Sequence, residues 1–94
     1  MAKTILIVDD SSSLRLVVKL ALNRAGYDVL EAGDGKEGLA QLEKAGKVHL
    51  IVSDVNMPVM DGIAFVTEVK KHPRHKFTPV VMLTTEGQDL SLIH

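Results

Sequence analysis

Short apolar runs alternate along this chain with stretches of helical spacing, and that alternation limits the fold more than any other feature. Ile5-Leu6-Ile7-Val8 is a continuous apolar run rich in β-branched residues, the pattern of a strand covered on both faces. Asp9 to Ser13 follows, and any of its serines is able to cap a helix. Leu14, Val17, Val18, Ala21 and Ala25 then repeat at helical spacing, and Gly26 stands where a C′ residue ends a helix. Tyr27 to Ala32 reads as a second strand with Tyr27 and Val29 on one face. Asp34 and Glu37 have capping-box spacing and open a helix that ends near Gly46. Val48 to Ser53 is a third strand. Asp61 caps a helix from about Gly62 to His72, closed by Pro73. Val80 to Leu83 is a fourth strand, and Glu86 to Ile93 carries a weak signal for a further helix. The order β-α-β-α-β-α-β predicts an α/β domain, a parallel sheet with right-handed crossovers. Such sheets bind ligands beyond the carboxyl ends of their strands, where strand order reverses.

Composition narrows the possibilities further. The 94 residues suffice for one small domain, so residues 1–94 read as a single unit. With 46% apolar and 24% charged residues the chain is ordinary globular material. At 3% aromatic content the core must be aliphatic and small. The formal charge of −1 shows no basic excess that suggests nucleic acid or an anionic membrane. Without cysteine there is neither a disulfide framework nor thiolate chemistry. No apolar stretch is long enough to span a bilayer, and Met1 to Thr4 runs into a strand pattern without a signal-peptide region. A cytoplasmic protein is the expectation.

The chemistry gathers at the strand ends. Strand one ends at Asp9-Asp10, strand three at Asp54 and strand four at Thr84-Thr85. If strands one and three are neighbours, three carboxylates share one crevice. Like charges so placed raise one another's pKa, a penalty that a divalent cation removes. An all-oxygen donor set without His or Cys favours Mg²⁺ over zinc. A carboxylate beside Mg²⁺ is a plausible nucleophile toward a phosphoryl donor, and a hydroxyl such as that of Thr84 can bond a phosphoryl oxygen.

Ile5 to Ser11, Asp54-Val55-Asn56-Met57-Pro58-Val59-Met60-Asp61-Gly62, and Pro79 through Thr85 together resemble the receiver domain of two-component response regulators, most of all the stand-alone chemotaxis type. The resemblance runs from residue 3 to about residue 89. It implies a doubly wound, flavodoxin-like sheet of strand order 2-1-3-4. It implies that Asp54 is the phosphoacceptor, that Asp10 binds Mg²⁺ directly and Asp9 through a metal-bound water, and that the carbonyl of Asn56 is a further ligand. Pro58, Asp61 and Gly62 would shape the loop into the next helix, and Thr84 would be the switch hydroxyl. The implied partners are a sensor histidine kinase or phosphotransfer protein and a downstream protein target. The role is signalling, and no enzymatic activity is implied beyond self-phosphorylation and autodephosphorylation at Asp54. The family's domain continues with a fifth strand, which ends in a lysine, and a last helix. This chain has no lysine after Lys76. The expectation is therefore a receiver domain lacking its fifth strand and last helix, modified slowly, and assembled as a homodimer or through swapped elements.

Competing readings leave more unexplained. Gly33-Asp34-Gly35-Lys36-Glu37-Gly38 matches the spacing of a dinucleotide-binding turn. Asp34 and Glu37, however, would set negative charge where a pyrophosphate must lie, so a plain capped turn is the better reading. A haloacid-dehalogenase-like phosphatase would want a second Asp two residues after Asp54, where Asn56 stands. A scaffold that keeps the site without signalling is the remaining alternative. His72 and His75, flanking Pro73, read as solvated, and His49 as an edge-of-core residue within strand three. Met57, Met60 and Met82 read as packing residues.

Overall fold

The computed structural model describes residues 2–54 and 60–83. Its elements run β1 (Thr4–Val8), α1 (Ser12–Arg24), β2 (Asp28–Ala32), α2 (Gly35–Lys44), β3 (Leu50–Asp54), α3 (Gly62–Lys71) and β4 (Val80–Leu83). The strands form one parallel sheet of order β2-β1-β3-β4. From β1 the chain crosses to one side through α1, then returns past β1 to β3 through α2. β1 and β3 are therefore neighbours that the chain leaves in opposite directions, the reversal that opens a crevice at their carboxyl ends.

Each helix begins where a short polar side chain meets the orphan N–H groups of its first turn. Ser11 Oγ accepts from Leu14 N–H at 3.3 Å, Asp34 Oδ1 from Glu37 N–H and Asp61 Oδ1 from Ala64 N–H, both at 2.8 Å. α1 ends on Ala25 and Gly26, whose φ of +96° suits glycine. α2 stops at Ala45, short of Gly46. The third strand begins at Leu50, so His49 lies just ahead of it. There it anchors the sheet: Thr4 N–H donates to His49 Nδ1 at 3.0 Å, and His49 N–H donates to the Thr4 carbonyl.

One sheet face packs against α2 and α3. Leu6, Val8, Ala32, Leu42, Val48, Ile51, Phe65 and Val69 form that core. Gly38 lets α2 settle on the sheet, because a Cβ there would come within 2.8 Å of the Phe65 ring and 3.1 Å of Val8. α1 covers the other face, which carries Ile7 and its register partner Glu31. Its orientation differs from the apolar repeat expected of it. Arg15, Val18, Lys19 and Leu22 are its half-buried large residues, while Leu14, Leu16, Val17 and Leu20 are 43–64% exposed. The reason is Glu31. Arg15 Nε lies 3.3 Å from one of its carboxylate oxygens and Lys19 Nζ 3.0 Å from the other, so the helix turns its cations toward the strand. These bonds, the Lys19 bond foremost, hold the Glu31 carboxyl below the usual glutamate range, against the opposing effect of partial burial.

The expectation for His75 is corrected. It is not solvated but 1% exposed, with Nε2 3.0 Å from the Leu42 carbonyl, so it ties the loop after α3 to the end of α2. His72 is also largely covered, with Nε2 2.8 Å from Glu43 Oε2. In both cases the partner comes from α2, some thirty residues away in the chain.

Candidate phosphoacceptor site

The site follows from register. Val8, the last residue of β1, pairs with Ser53 of β3, so Asp9 and Asp54 stand side by side one residue further on. Asp9, Asp10 and Asp54 each offer a carboxylate oxygen, and these oxygens all lie within 4.8 Å of one another. Asp54 is 3% and Asp9 8% exposed, whereas Asp10 reaches solvent.

The surrounding backbone holds the cluster in place. Asp9 N–H donates to the Ala32 carbonyl at 3.0 Å, joining the turn to β2. Asp9 Oδ1 accepts from Ser11 N–H at 2.8 Å, which folds Asp10 over the strand end. The Arg15 guanidinium donates to the Asp9 carbonyl while it also holds Glu31. Ser53 Oγ donates to the Asp54 carbonyl at 3.1 Å, and Asp54 pairs in register with Leu83 of β4.

Two buried carboxylates and a third at the rim repel one another in surroundings of low dielectric. Hard oxygen donors from three residues, converging on one point, suit a hard divalent cation. The residues present thus fit Mg²⁺.

Of the residues singled out in the sequence, Asp9, Asp10 and Asp54 are brought together. Asn56, Pro58, Thr84 and Thr85 lie outside the described residues, as does the segment from Glu86 to Ile93. Asp61 caps α3 and Gly62 begins it. The dinucleotide-like turn is closed upon itself: Asp34 caps α2, and Glu37 Oε1 accepts from Gly33 N–H at 2.8 Å. Its glycines serve packing, Gly35 against Met60 and Gly38 against Phe65. Arg15 was not singled out in the sequence. Its partners are the Asp9 carbonyl and a side chain sixteen residues away, and no local spacing announces such a role.

Known proteins settle the family. Residues 5–94 match the sequence profile described as the response regulator receiver domain. The chain belongs to the response regulator receiver domain family. The chemotaxis protein CheY1 of Helicobacter pylori is 41% identical to this receiver domain over 90 residues, 95% of this chain and 73% of that protein. The crystallised chemotaxis protein CheY4 of Vibrio cholerae superposes with a TM-score of 0.88 at 49% identity, covering 94% of this chain and 72% of that one. The response regulator TrrA of Thermotoga maritima, solved in complex with Mg²⁺-BeF, gives a TM-score of 0.80 at 30% identity over 90% of this chain and 71% of that one. This receiver domain is thus of the chemotaxis type, in the parallel sheet order 2-1-3-4 expected of it, and its class is two-component signalling.

Proposed function

We propose that Asp54 accepts a phosphoryl group from a phosphohistidine of a sensor kinase or phosphotransfer protein, with Mg²⁺ held by Asp9, Asp10, Asp54 and the carbonyl of Asn56. The observation that carries this reading is the convergence of three carboxylates within 4.8 Å at the β1/β3 reversal. The relative solved with Mg²⁺-BeF supports the choice of metal. When bound, the ion neutralises charge on the transferring oxygens. A carboxylate oxygen of Asp54 attacks phosphorus; the N–P bond of the donor breaks, the O–P bond of an acyl phosphate forms, and the donor ring, already protonated at its other nitrogen, leaves as neutral imidazole. Water later hydrolyses the acyl phosphate and restores the carboxylate. Asp9, fixed by Ser11 and Ala32, keeps its side chain at the strand end. Thr84 is the hydroxyl that reports the new charge to a downstream protein. This is signalling, with no reaction on an external substrate beyond the phosphodonor.

The test is intact mass after exposure to Mg²⁺ and acetyl phosphate. The expected product is a single phosphoryl adduct, labile to acid and base, which Asp54→Asn abolishes because an amide is no nucleophile here. An adduct that survives the substitution overturns the assignment.

The remaining expectations belong to the same reading. The chain acts as one domain, in the cytoplasm. Among the described residues, no helix is long and apolar enough to cross a membrane. A homodimer or an exchange of elements is favoured by β4 lying at the edge of the described sheet and by the exposed apolar side of α1. Sedimentation at micromolar concentration decides this: a monodisperse monomer overturns it.

A further inference from the structure

The net charge of −1 conceals two poles. Asp9, Asp10, Asp34, Asp54 and Asp61 stand at the carboxyl end of the sheet. Lys44, Lys47, Lys70, Lys71, Arg74 and Lys76 stand at the amino end, on helix C-termini and the loops that follow. Lysines in the last turn of a helix are ordinary partners of its dipole. Arg74 reaches the carboxyl end of α2 from the next loop, whereas Lys47 and Lys76 are not in helices and cap none, so the dipole does not account for them.

Lys47 and Arg74 line a built concavity, and Lys76 stands in the chain between two of its lining residues, His75 and Phe77. The loop between α2 and β3 and the loop between α3 and β4 enclose a cleft of about 360 Å³, lined among others by Lys47, His49, Arg74, Phe77 and Pro79. The two loops are fastened to each other. The Arg74 guanidinium donates to the Glu43 carbonyl at 3.1 Å and the Ala45 carbonyl at 3.5 Å. Thr78 Oγ1 donates to the Val48 carbonyl at 3.4 Å, and buried His75 reaches the Leu42 carbonyl. The walls are thus pre-formed, which lowers the cost of binding. The acids of α2 and α3 nearest this cleft are engaged, Glu43 with His72 and Glu68 with Lys71. Among the described residues, Lys47 and Lys76 have no carboxylate partner, and Lys76 Nζ lies 5.3 Å from the Phe77 ring centroid. Phe77 is 87% exposed, while Phe65, the only other phenylalanine, is wholly buried.

We propose that this end of the domain binds an acidic polypeptide segment carrying an apolar side chain, its carboxylates on Lys47, Lys76 and Arg74 and its apolar group against Phe77. Exposed aromatic and arginine residues on a rigid rim are the usual anchors of a protein interface. Lys47 and Lys76, cations with no carboxylate partner among the described residues, select an acidic partner. Nucleic acid fits less well: it is bound through a long track of phosphate contacts, whereas these few cations stand in and beside one small cleft, on a molecule whose far pole is acidic. The surface lies a strand's length, roughly 16 Å, from Asp54, so it is spatially separate from the phosphoacceptor.

A fluorescein-labelled glutamate-rich peptide with one central leucine is titrated with the full chain at low salt and followed by anisotropy, with amide shifts mapped by NMR. The expected result is binding that moves residues 46–49 and 74–79 and leaves residues 9, 10 and 54 still. The double reversal Lys47→Glu, Lys76→Glu should weaken affinity by at least about tenfold, and Phe77→Ala by about threefold with loss of the preference for leucine over serine in the peptide. Equal binding of leucine and serine peptides to the unaltered protein overturns the proposal. So does tighter binding of oligo-dT of the same charge, or a shift map elsewhere on the surface. Both readouts on the unaltered chain stand even if a variant fails to fold.

Discussion

Two turns of this domain begin alike and end in different chemistry. After β1 the chain runs Asp9-Asp10-Ser11 into α1; after β2 it runs Gly33-Asp34-Gly35 into α2. Both lead from the carboxyl end of a strand into a helix and both carry acid. In the second turn the acids satisfy their own backbone: Asp34 caps Glu37, and Glu37 returns to Gly33. In the first turn Ser11 takes the capping role. Asp9 gives one oxygen to Ser11 N–H and Asp10 is left at the rim, so both are available to the cluster with Asp54. The position of the strand makes the difference. The chain leaves β1 and β3 in opposite directions, so their ends open onto one shared crevice, whereas β2 lies at the sheet edge with β1 as its one neighbour, and the turn after β1 already faces β3. Acids at a strand end form a site only where a second strand end supplies the rest.

Substitutions in the two turns test that contrast, and the largest effect concerns phosphorylation. Asp54→Asn should abolish the phosphoryl adduct, while Asp34→Asn should leave its yield unchanged by intact mass. A parallel loss in both would erase the distinction.

Metal affinity comes next. Asp10→Ala should weaken Mg²⁺ binding by at least about tenfold, about 1.4 kcal/mol, whereas Asp34→Ala should change it little; calorimetric titration compares them. Equal effects would rule out the metal site.

Folding stability should reverse the order. Gly38→Ala forces a methyl against Phe65 and Val8 and should cost about 1–3 kcal/mol. Loss of the α2 cap in Asp34→Ala should cost about 1 kcal/mol. Asp10→Ala, which relieves like-charge repulsion, should leave urea stability unchanged or raised. A destabilising Asp10→Ala would mean that the first turn, too, serves its own backbone.

The smallest effect concerns Glu31, a carboxylate outside the cluster that is held by cations of α1. Glu31 has a folded-state pKa below its unfolded value because Lys19, and then Arg15, favour its charged form. The unfolded state therefore binds the proton more readily. This contribution is fully present above the ordinary glutamate value of about 4.3 and is lost as pH falls through the lower folded value. Glu31→Gln should flatten the acid limb of stability against pH below about 4.3, with little change near neutrality in a pH series of urea melts. An unchanged acid limb would show that the bonds to Lys19 and Arg15 do not persist in solution.

Local chemistry was legible in the chain itself. Continuous apolar runs specify strands covered on both faces, and Asp34, Asp61 and the serines after Asp10 mark helix starts because capping acts over three residues. Gly26 ends α1 because only glycine takes its backbone readily. Three motifs in order, with Asp9, Asp10 and Asp54 at strand ends, were enough to name a family. Other features were decided by partners distant in sequence. α1 turns its cations inward because Glu31 of β2 faces it, though its apolar spacing alone points to another side. His75 is buried because the end of α2 offers it a carbonyl, although its neighbours Arg74 and Lys76 read as a solvated loop. The cluster itself required the register of β1 on β3, which sets Asp9 beside Asp54. Spacing within a segment is fixed by the chain's covalent geometry and can be read along it; adjacency between segments exists only once the sheet has paired.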